Sequence, residues 1–160
     1  MLKDRSSKIV STLIVISLAL AASSAVAKEK TANRAPELAE LYQNPDLQDQ
    51  FLKRLIMDEF HDPLMLKIAG CESTGNPNKI LHWKPDGSLV KNPGSSASGW
   101  GQALLEYHSR EIKRLGLNMK DLNDYNIFIE HLRKGGKNPY SAWSESKPCW
   151  GKYRNLAKLS

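Results

Sequence analysis

The stretch Asp62-Pro63-Leu64-Met65-Leu66-Lys67-Ile68-Ala69-Gly70-Cys71-Glu72-Ser73-Thr74-Gly75 decides how this chain folds. Asp62 offers a side-chain oxygen to the free amides of a helix start. Pro63 suits the first helical position, where a missing N–H costs nothing. Leu64, Leu66, Ile68 and Ala69 make the helix apolar nearly all round, which predicts a buried helix rather than one lying on a surface. A single carboxylate, Glu72, rides in its last turn. The rest of the chain has to be wrapped around this segment.

Upstream, Leu47, Phe51 and Leu55 with Leu52, Ile56 and Phe60 recur at three- and four-residue spacing. They predict a helix from Asp46 that stops at His61-Asp62-Pro63. Before it, residues 28–45 are polar and carry Pro36 and Asn44-Pro45, reading as a flexible leader or a short capping helix. Downstream, residues 74–99 are dense in Gly, Pro, Asn, Asp and Ser. A small hairpin, Leu81–Trp83 against Leu89–Lys91, is expected around Pro85-Asp86-Gly87. Further helices are expected over Gln102–Leu115, ended by Gly116, and Asp121–Arg133, ended by Gly135-Gly136. The tail Pro139–Leu159 reads as one or two short helices. The fold class is therefore mainly α (α+β), with one domain over residues 46–160 and a small β hairpin or loop insertion.

The N-terminus has the order of a secretory signal: Lys3, Arg5 and Lys8, then an apolar run Ile9–Ala22, then Ala25-Val26-Ala27. That run is shorter than the roughly 20 residues a spanning helix needs. With residues 1–27 removed, the remainder carries 20 Lys and Arg against 16 Asp and Glu, a net +4 rather than the +6 of the whole chain. So mild a charge, on an exported chain, points away from nucleic acid and toward an anionic cell envelope. Export also favours pairing of the only two cysteines, Cys71 and Cys149. Closing that loop would stabilise the fold by roughly 4 kcal/mol in the chain-entropy model. Neither cysteine has the spacing of a metal site, so no metal and no cofactor is expected.

Glu72 is the residue with chemical promise. Burial disfavours its charged form, and the negative end of the helix dipole disfavours it again. A carboxyl kept protonated near neutral pH is what a general acid requires. An exposed helix-end glutamate would fit the same spacing. Asp86, Glu106 and Asp124 are the other carboxylates considered as partners. They read as a turn residue, a solvated helix face and an N-terminal helix residue, which leaves one acid and no clear second one.

Cys71-Glu72-Ser73, followed by Gly75-Asn76-Pro77-Asn78, resembles the catalytic segment of the lysozyme-like lytic transglycosylases (SLT-type), in a small exported form. Three more elements follow in that family's order over Pro63–Trp150. They are the turn Ser98-Gly99-Trp100-Gly101-Gln102, the helix start Tyr125-Asn126-Ile127, and the closing Gly135-Gly136 with Tyr140-Ser141-Ala142-Trp143. Where the family has an apolar pair before its Gln, this chain has Trp100-Gly101.

The resemblance implies a lysozyme-like domain that cleaves the MurNAc–GlcNAc bond of peptidoglycan, with Glu72 as both acid and base and a 1,6-anhydromuramyl product. It also implies sugar-contacting or Glu-orienting roles for Ser98, Gln102, Tyr125 and Asn126, and a Cys71–Cys149 bridge behind Glu72. Loop polarity for Ser98, helix-start chemistry for Gln102, a core aromatic for Tyr125 and a helix cap for Asn126 fit the same residues. Of the four tryptophans, Trp100 is the best cleft candidate, while His82 and His108 are plausible there. The partner implied is the peptidoglycan glycan strand, met by a monomer in the periplasm or outside the cell. A hydrolytic muramidase and a non-catalytic wall-binding or assembly protein are the alternatives.

Overall fold

Two prolines and two capping side chains set where the central helices begin. The computed structural model describes residues 36–158, so the expected signal sequence 1–27 lies outside the described residues. Helix α1 is Leu38–Gln43, α2 is Pro45–Phe60 and α3 is Pro63–Thr74. Asn44 Oδ1 accepts from the Asp46 and Leu47 amides at 3.2 and 3.0 Å, and Asp62 Oδ1 accepts from the Leu64 amide at 2.9 Å. Each proline thus occupies a first-turn position whose N–H is not needed. Part of the segment read as leader supplies α1, whose Leu41 is fully buried.

In α2 the buried positions Gln48, Leu52, Ile56 and Phe60 fall every fourth residue on one stripe. In α3, Leu64, Met65, Ile68, Ala69, Gly70 and Cys71 are all buried, as its composition predicts. Gly70 lets the loop that follows α3 fold back against it. A Cβ there would stand 2.9 Å from the Pro77 carbonyl carbon, closer than real Cβ atoms approach.

The segment after α3 contains little regular strand. Trp83 pairs with Leu89 and Lys91 with Ser98 as single antiparallel bridges, so the expected hairpin is reduced to one bridge. The two-stranded sheet lies further on: β1, Ala97–Ser98, runs antiparallel to β2, Ala103–Leu104. The helix predicted over Gln102–Leu115 is correspondingly shorter, and α4 covers Ser109–Leu115. Gln102 has φ +47°, inside the β1–β2 turn, so the Gly-Trp-Gly-Gln segment reverses the chain instead of starting a helix. Helix α5, Leu122–Gly135, is capped by Asp121 and buries Tyr125, Asn126, Phe128 and Ile129. A 3-10 turn at Ser141–Trp143, the short α6 at Lys147–Trp150 and a 3-10 helix at Gly151–Lys158 complete the tail.

Buried polar side chains stitch these pieces together. Gln48 Oε1 accepts the His82 and Trp83 amides at 2.5 and 2.9 Å, while its Nε2 donates to the Leu41 carbonyl at 3.0 Å. One amide side chain therefore joins α1, α2 and the loop. Asp62 Oδ2 accepts from Tyr140 Oη at 2.8 Å and Arg133 Nη2 at 3.2 Å, tying α5 and the tail to the start of α3. Cys71 and Cys149 form a disulfide with 5.9 Å between their Cα atoms, fastening α6 to the end of α3.

His82, expected at a cleft, is instead completely buried. Its Nδ1 accepts the Trp100 amide at 3.1 Å, and its ring meets Trp83 and Tyr125 edge-on. Burial brings its pKa down from 6.5 to about 3. From pH 6.5 down to about 3 the unfolded chain binds a proton there that the native chain refuses. Native stability is therefore lost as pH falls through this window, by up to about 1.4 kcal/mol per pH unit from this group. His82→Gln keeps an acceptor but does not titrate. Denaturant melts at pH 7 and 4.5 should show a smaller acid-induced loss for the variant than for the native chain.

Candidate functional site

Glu72 is half-buried in the last turn of α3, just before the left-handed Gly75 that ends the helix at φ +72°. The two residues after it turn to the loop. Ser73 Oγ donates to the Ala69 carbonyl at 2.7 Å and accepts the Leu81 amide at 3.1 Å. Thr74 Oγ1 sits 2.8 Å from the Lys79 carbonyl. The Glu-Ser pair thus divides its work, with Ser73 fixing the loop and Glu72 left for the opposite side.

On that side Glu72 Oε1 accepts a hydrogen bond from the Ser146 hydroxyl. Ser146 is itself held by Trp150, whose indole N–H lies 3.0 Å from Ser146 Oγ and 3.0 Å from the Trp143 carbonyl. Because the indole can only donate, it occupies an acceptor site on Ser146 and leaves the hydroxyl proton for Glu72. Ser146 Oγ is also 3.2 Å from the Trp143 carbonyl, a second acceptor for the same proton. A hydroxyl between a carboxyl and a carbonyl can serve Glu72 in either state. It donates to the carboxylate, or turns to Trp143 and accepts when Glu72 is protonated.

Burial raises the Glu72 pKa above 4.5, and the Ser146 bond partly offsets the rise. Asp86 is exposed and bonds Ser88. Glu106 is exposed in a turn, and Asp124 accepts the Asn118 amide at 2.8 Å. None of the three joins Glu72.

The other sequence candidates form the wall behind the site. Trp100 is fully buried, and its indole donates to Asn126 Oδ1 at 3.1 Å. It cannot offer a face to a sugar, because Phe60 and Tyr125 already pack edge-on against it. Asn126 is spent on that indole and is likewise buried. Tyr125 donates to the Ser98 carbonyl at 2.6 Å and accepts the Gly101 amide at 3.1 Å. Its burial, with a smaller push from the Glu72 charge, keeps the phenol protonated well above its ordinary range. Ser98 is buried and donates to the Ser96 carbonyl. These four residues are buried and bonded within the β1–β2 wall. The wall leaves no room for side chains at the turn: a Cβ on Gly99, at φ +75°, would stand 2.6 Å from the Tyr125 ring.

Gln102 alone among them reaches an opening. With Gly101, Ala103 and Leu104 it lines a cavity of about 420 Å³ shared with His108, Glu111, His131 and Trp143. Its Nε2 donates to the Gly99 carbonyl at 2.8 Å, while its buried Oε1 has no partner among the described residues. Glu111 sits between two histidines, 2.7 Å from His131 Nε2 and 3.3 Å from His108 Nδ1, and the His131 bond lowers its pKa. Glu72 does not line this cavity, although the wall residues Gly101 and Trp143 do. Among the described residues no group of three or more His, Cys, Asp or Glu is placed to hold a metal ion, and no helix is long and apolar enough to cross a membrane.

Ser146 and the His108–Glu111–His131 cluster were not singled out from the sequence. A signal for Ser146 was present: it lies three residues before Cys149, so a Cys71–Cys149 bridge brings it within a helical turn of the residue next to Glu72. Comparison with known proteins gives no match to a family model, a curated protein or a solved structure.

Two outcomes follow. Ser146→Ala removes the bond that favours the carboxylate, so the Glu72 pKa should rise further, read by NMR titration of its side-chain carboxyl. Because its pKa is raised on folding, Glu72 favours the native state fully only below pH 4.5, and that contribution is lost as pH rises through the folded value. Glu72→Gln should therefore be more stable than the native chain at pH 7 by thermal denaturation, with the difference shrinking below pH 4.5.

Proposed function

We propose that this chain is an exported lytic transglycosylase with a lysozyme-like fold, acting on the glycan strands of peptidoglycan with Glu72 as its acid and base. The observation that carries the reading is the Glu72 carboxyl itself. It sits at the end of a buried helix, its pKa is raised by burial, and it is bonded to a hydroxyl that can both give and take. Support also comes from the ordered motifs from Cys71-Glu72-Ser73 to Trp143.

The reaction needs one carboxyl. Protonated Glu72 gives its proton to the glycosidic oxygen, the bond from that oxygen to C1 of the muramic residue breaks, and the electron pair leaves with the GlcNAc oxygen. The muramyl C6 hydroxyl then bonds to C1, and the Glu72 carboxylate takes the hydroxyl proton. The acid is regenerated, no water is consumed, and the product is a 1,6-anhydro sugar. Ser146 follows the proton by donating to Glu72 while it is ionised and turning toward the Trp143 carbonyl otherwise. Two-carboxylate glycosidases position their second group to activate water or to form a covalent bond, and none of Asp86, Glu106 and Asp124 is bonded to Glu72 for that role.

Purified peptidoglycan treated with the native chain should release soluble fragments, and Glu72→Gln should lower the rate by about 10²–10⁴-fold. Mass spectrometry of the fragments distinguishes the chemistry, since an anhydro end is one water lighter than a reducing end. Reducing ends would make the protein a hydrolytic muramidase. Cleavage by Glu72→Gln at the native rate would remove Glu72 from the chemistry. Strand binding without soluble fragments would make the chain a wall-binding protein.

A further inference from the structure

The charge of this chain is unevenly placed. Residues 36–145 carry 13 Lys and Arg against 15 Asp and Glu, whereas residues 146–160 carry four Lys and Arg and no acidic side chain. Three of those four cations converge. Lys147 at the start of α6 and Lys152 and Arg154 on the last 3-10 helix line one depression of about 560 Å³ together with Pro148 and Gly151. Glu145 is its one carboxylate and forms no ion pair with any of the three.

Of the 13 Lys and Arg in residues 36–145, five sit against a carboxylate: Lys53, Lys79, Arg114, Arg133 and Lys134. The three tail cations instead rest near aromatic rings or face outward. Lys152 Nζ is 5.2 Å from the Tyr153 ring centre, and Arg154 Cζ is 5.8 Å from that of Trp150. Such contacts orient a cation without neutralising it.

We propose that this depression docks the carboxylates of the stem peptides that peptidoglycan carries on its muramic residues. The inference rests on the reading of the substrate as peptidoglycan and extends it to a second feature of that polymer. Its position supports the assignment. Ser144, Glu145 and Lys147 flank Ser146, whose hydroxyl bonds Glu72, and Cys149 is bridged to Cys71 beside Glu72. Along the chain the lining thus adjoins the residue that bonds Glu72, and stem-peptide carboxylates are anions carried on the muramic residue whose bond would break. A lipid surface fits less well. Among the described residues the exposed large apolar side chains are Leu38, Leu104, Tyr107 and Ile127, none of which lines the depression to enter a bilayer beside these cations.

The test uses Glu72→Gln as the uncleaving parent and compares it with the same chain carrying Lys147→Gln, Lys152→Gln and Arg154→Gln. Each is bound to immobilised intact peptidoglycan and to immobilised glycan strands freed of their peptides. The triple substitution should weaken binding to intact peptidoglycan by about tenfold at about 0.05 M salt, and the gap should close near 0.5 M. Peptide-free strands should hold both proteins equally. Equal binding to intact peptidoglycan, or the same loss on peptide-free strands, overturns the proposal and leaves the cations as a solvated helix end. Cleavage by the chain with Glu72 in place is scored separately. Fragments released despite cation-independent binding would keep the enzyme reading and sink this one. Cation-dependent, peptide-dependent retention without fragments would do the reverse.

Discussion

A helix buried on nearly every side must dispose of the polar groups at both of its ends, and α3 is such a helix. At its start, Asp62 is almost fully buried. It caps the Leu64 amide with one oxygen and receives Tyr140 and Arg133 with the other. At its finish, Gly75 turns left-handed, Ser73 and Thr74 hold the returning loop, Cys71 is bridged to Cys149, and Glu72 meets Ser146. The tail that wraps the molecule is thus anchored at both ends of one helix. The same demand that closes the fold leaves the Glu72 carboxyl half-buried at the end of that helix.

The wall beside that carboxyl is built on different terms. Its polar atoms are paired inside an aromatic cluster: Trp100 with Asn126, Trp143 Nε1 with the Gly101 carbonyl at 2.8 Å, Tyr125 with both Ser98 and Gly101, and His82 with the Trp100 amide. A buried polar network that is nearly complete specifies one arrangement of a segment too short of strand to hold itself. The β1–β2 hairpin has only two residues a side, so the shape of the wall comes from these side-chain bonds and from the glycines that let backbone and ring approach. A backbone so constrained keeps Gln102 in a left-handed conformation that few residues adopt, with an unpartnered oxygen beside a cavity.

Much of the helical frame was legible. Asp62-Pro63 and Asp121 mark helix starts by a chemistry that acts within four residues, and Gly116 marks an end in the same way, whereas Asn44-Pro45, read as leader, caps α2. The cysteine pairing was legible for the simple reason that two cysteines offer one choice. The stretch from 81 to 108 was not. Its glycines and tryptophans look alike whether they line a cleft or pack beneath one, and Trp100 went under because α5 presents Asn126 to its indole. The start of the helix predicted at Gln102 failed for a related reason. Gln102 is a good helix former, but Gly99 and Gly101 let the chain reverse against Tyr125, and that packing outweighs propensity.

By itself the sequence determined the local decisions: where α2, α3 and α5 begin, that α3 is buried, that Glu72 stands at its end, and that Cys71 and Cys149 join. Each depends on neighbours within a helical turn or on composition alone. The tertiary structure decided which side chains face the carboxyl and which lie behind it. Ser146 is 74 residues from Glu72, and Tyr125 is 27 from Ser98, so neither contact leaves a mark in local spacing. The raised pKa of Glu72 belongs to both levels. The helix end that carries it is written in the residues, while the burial that shifts it exists only once the tail has closed over α3.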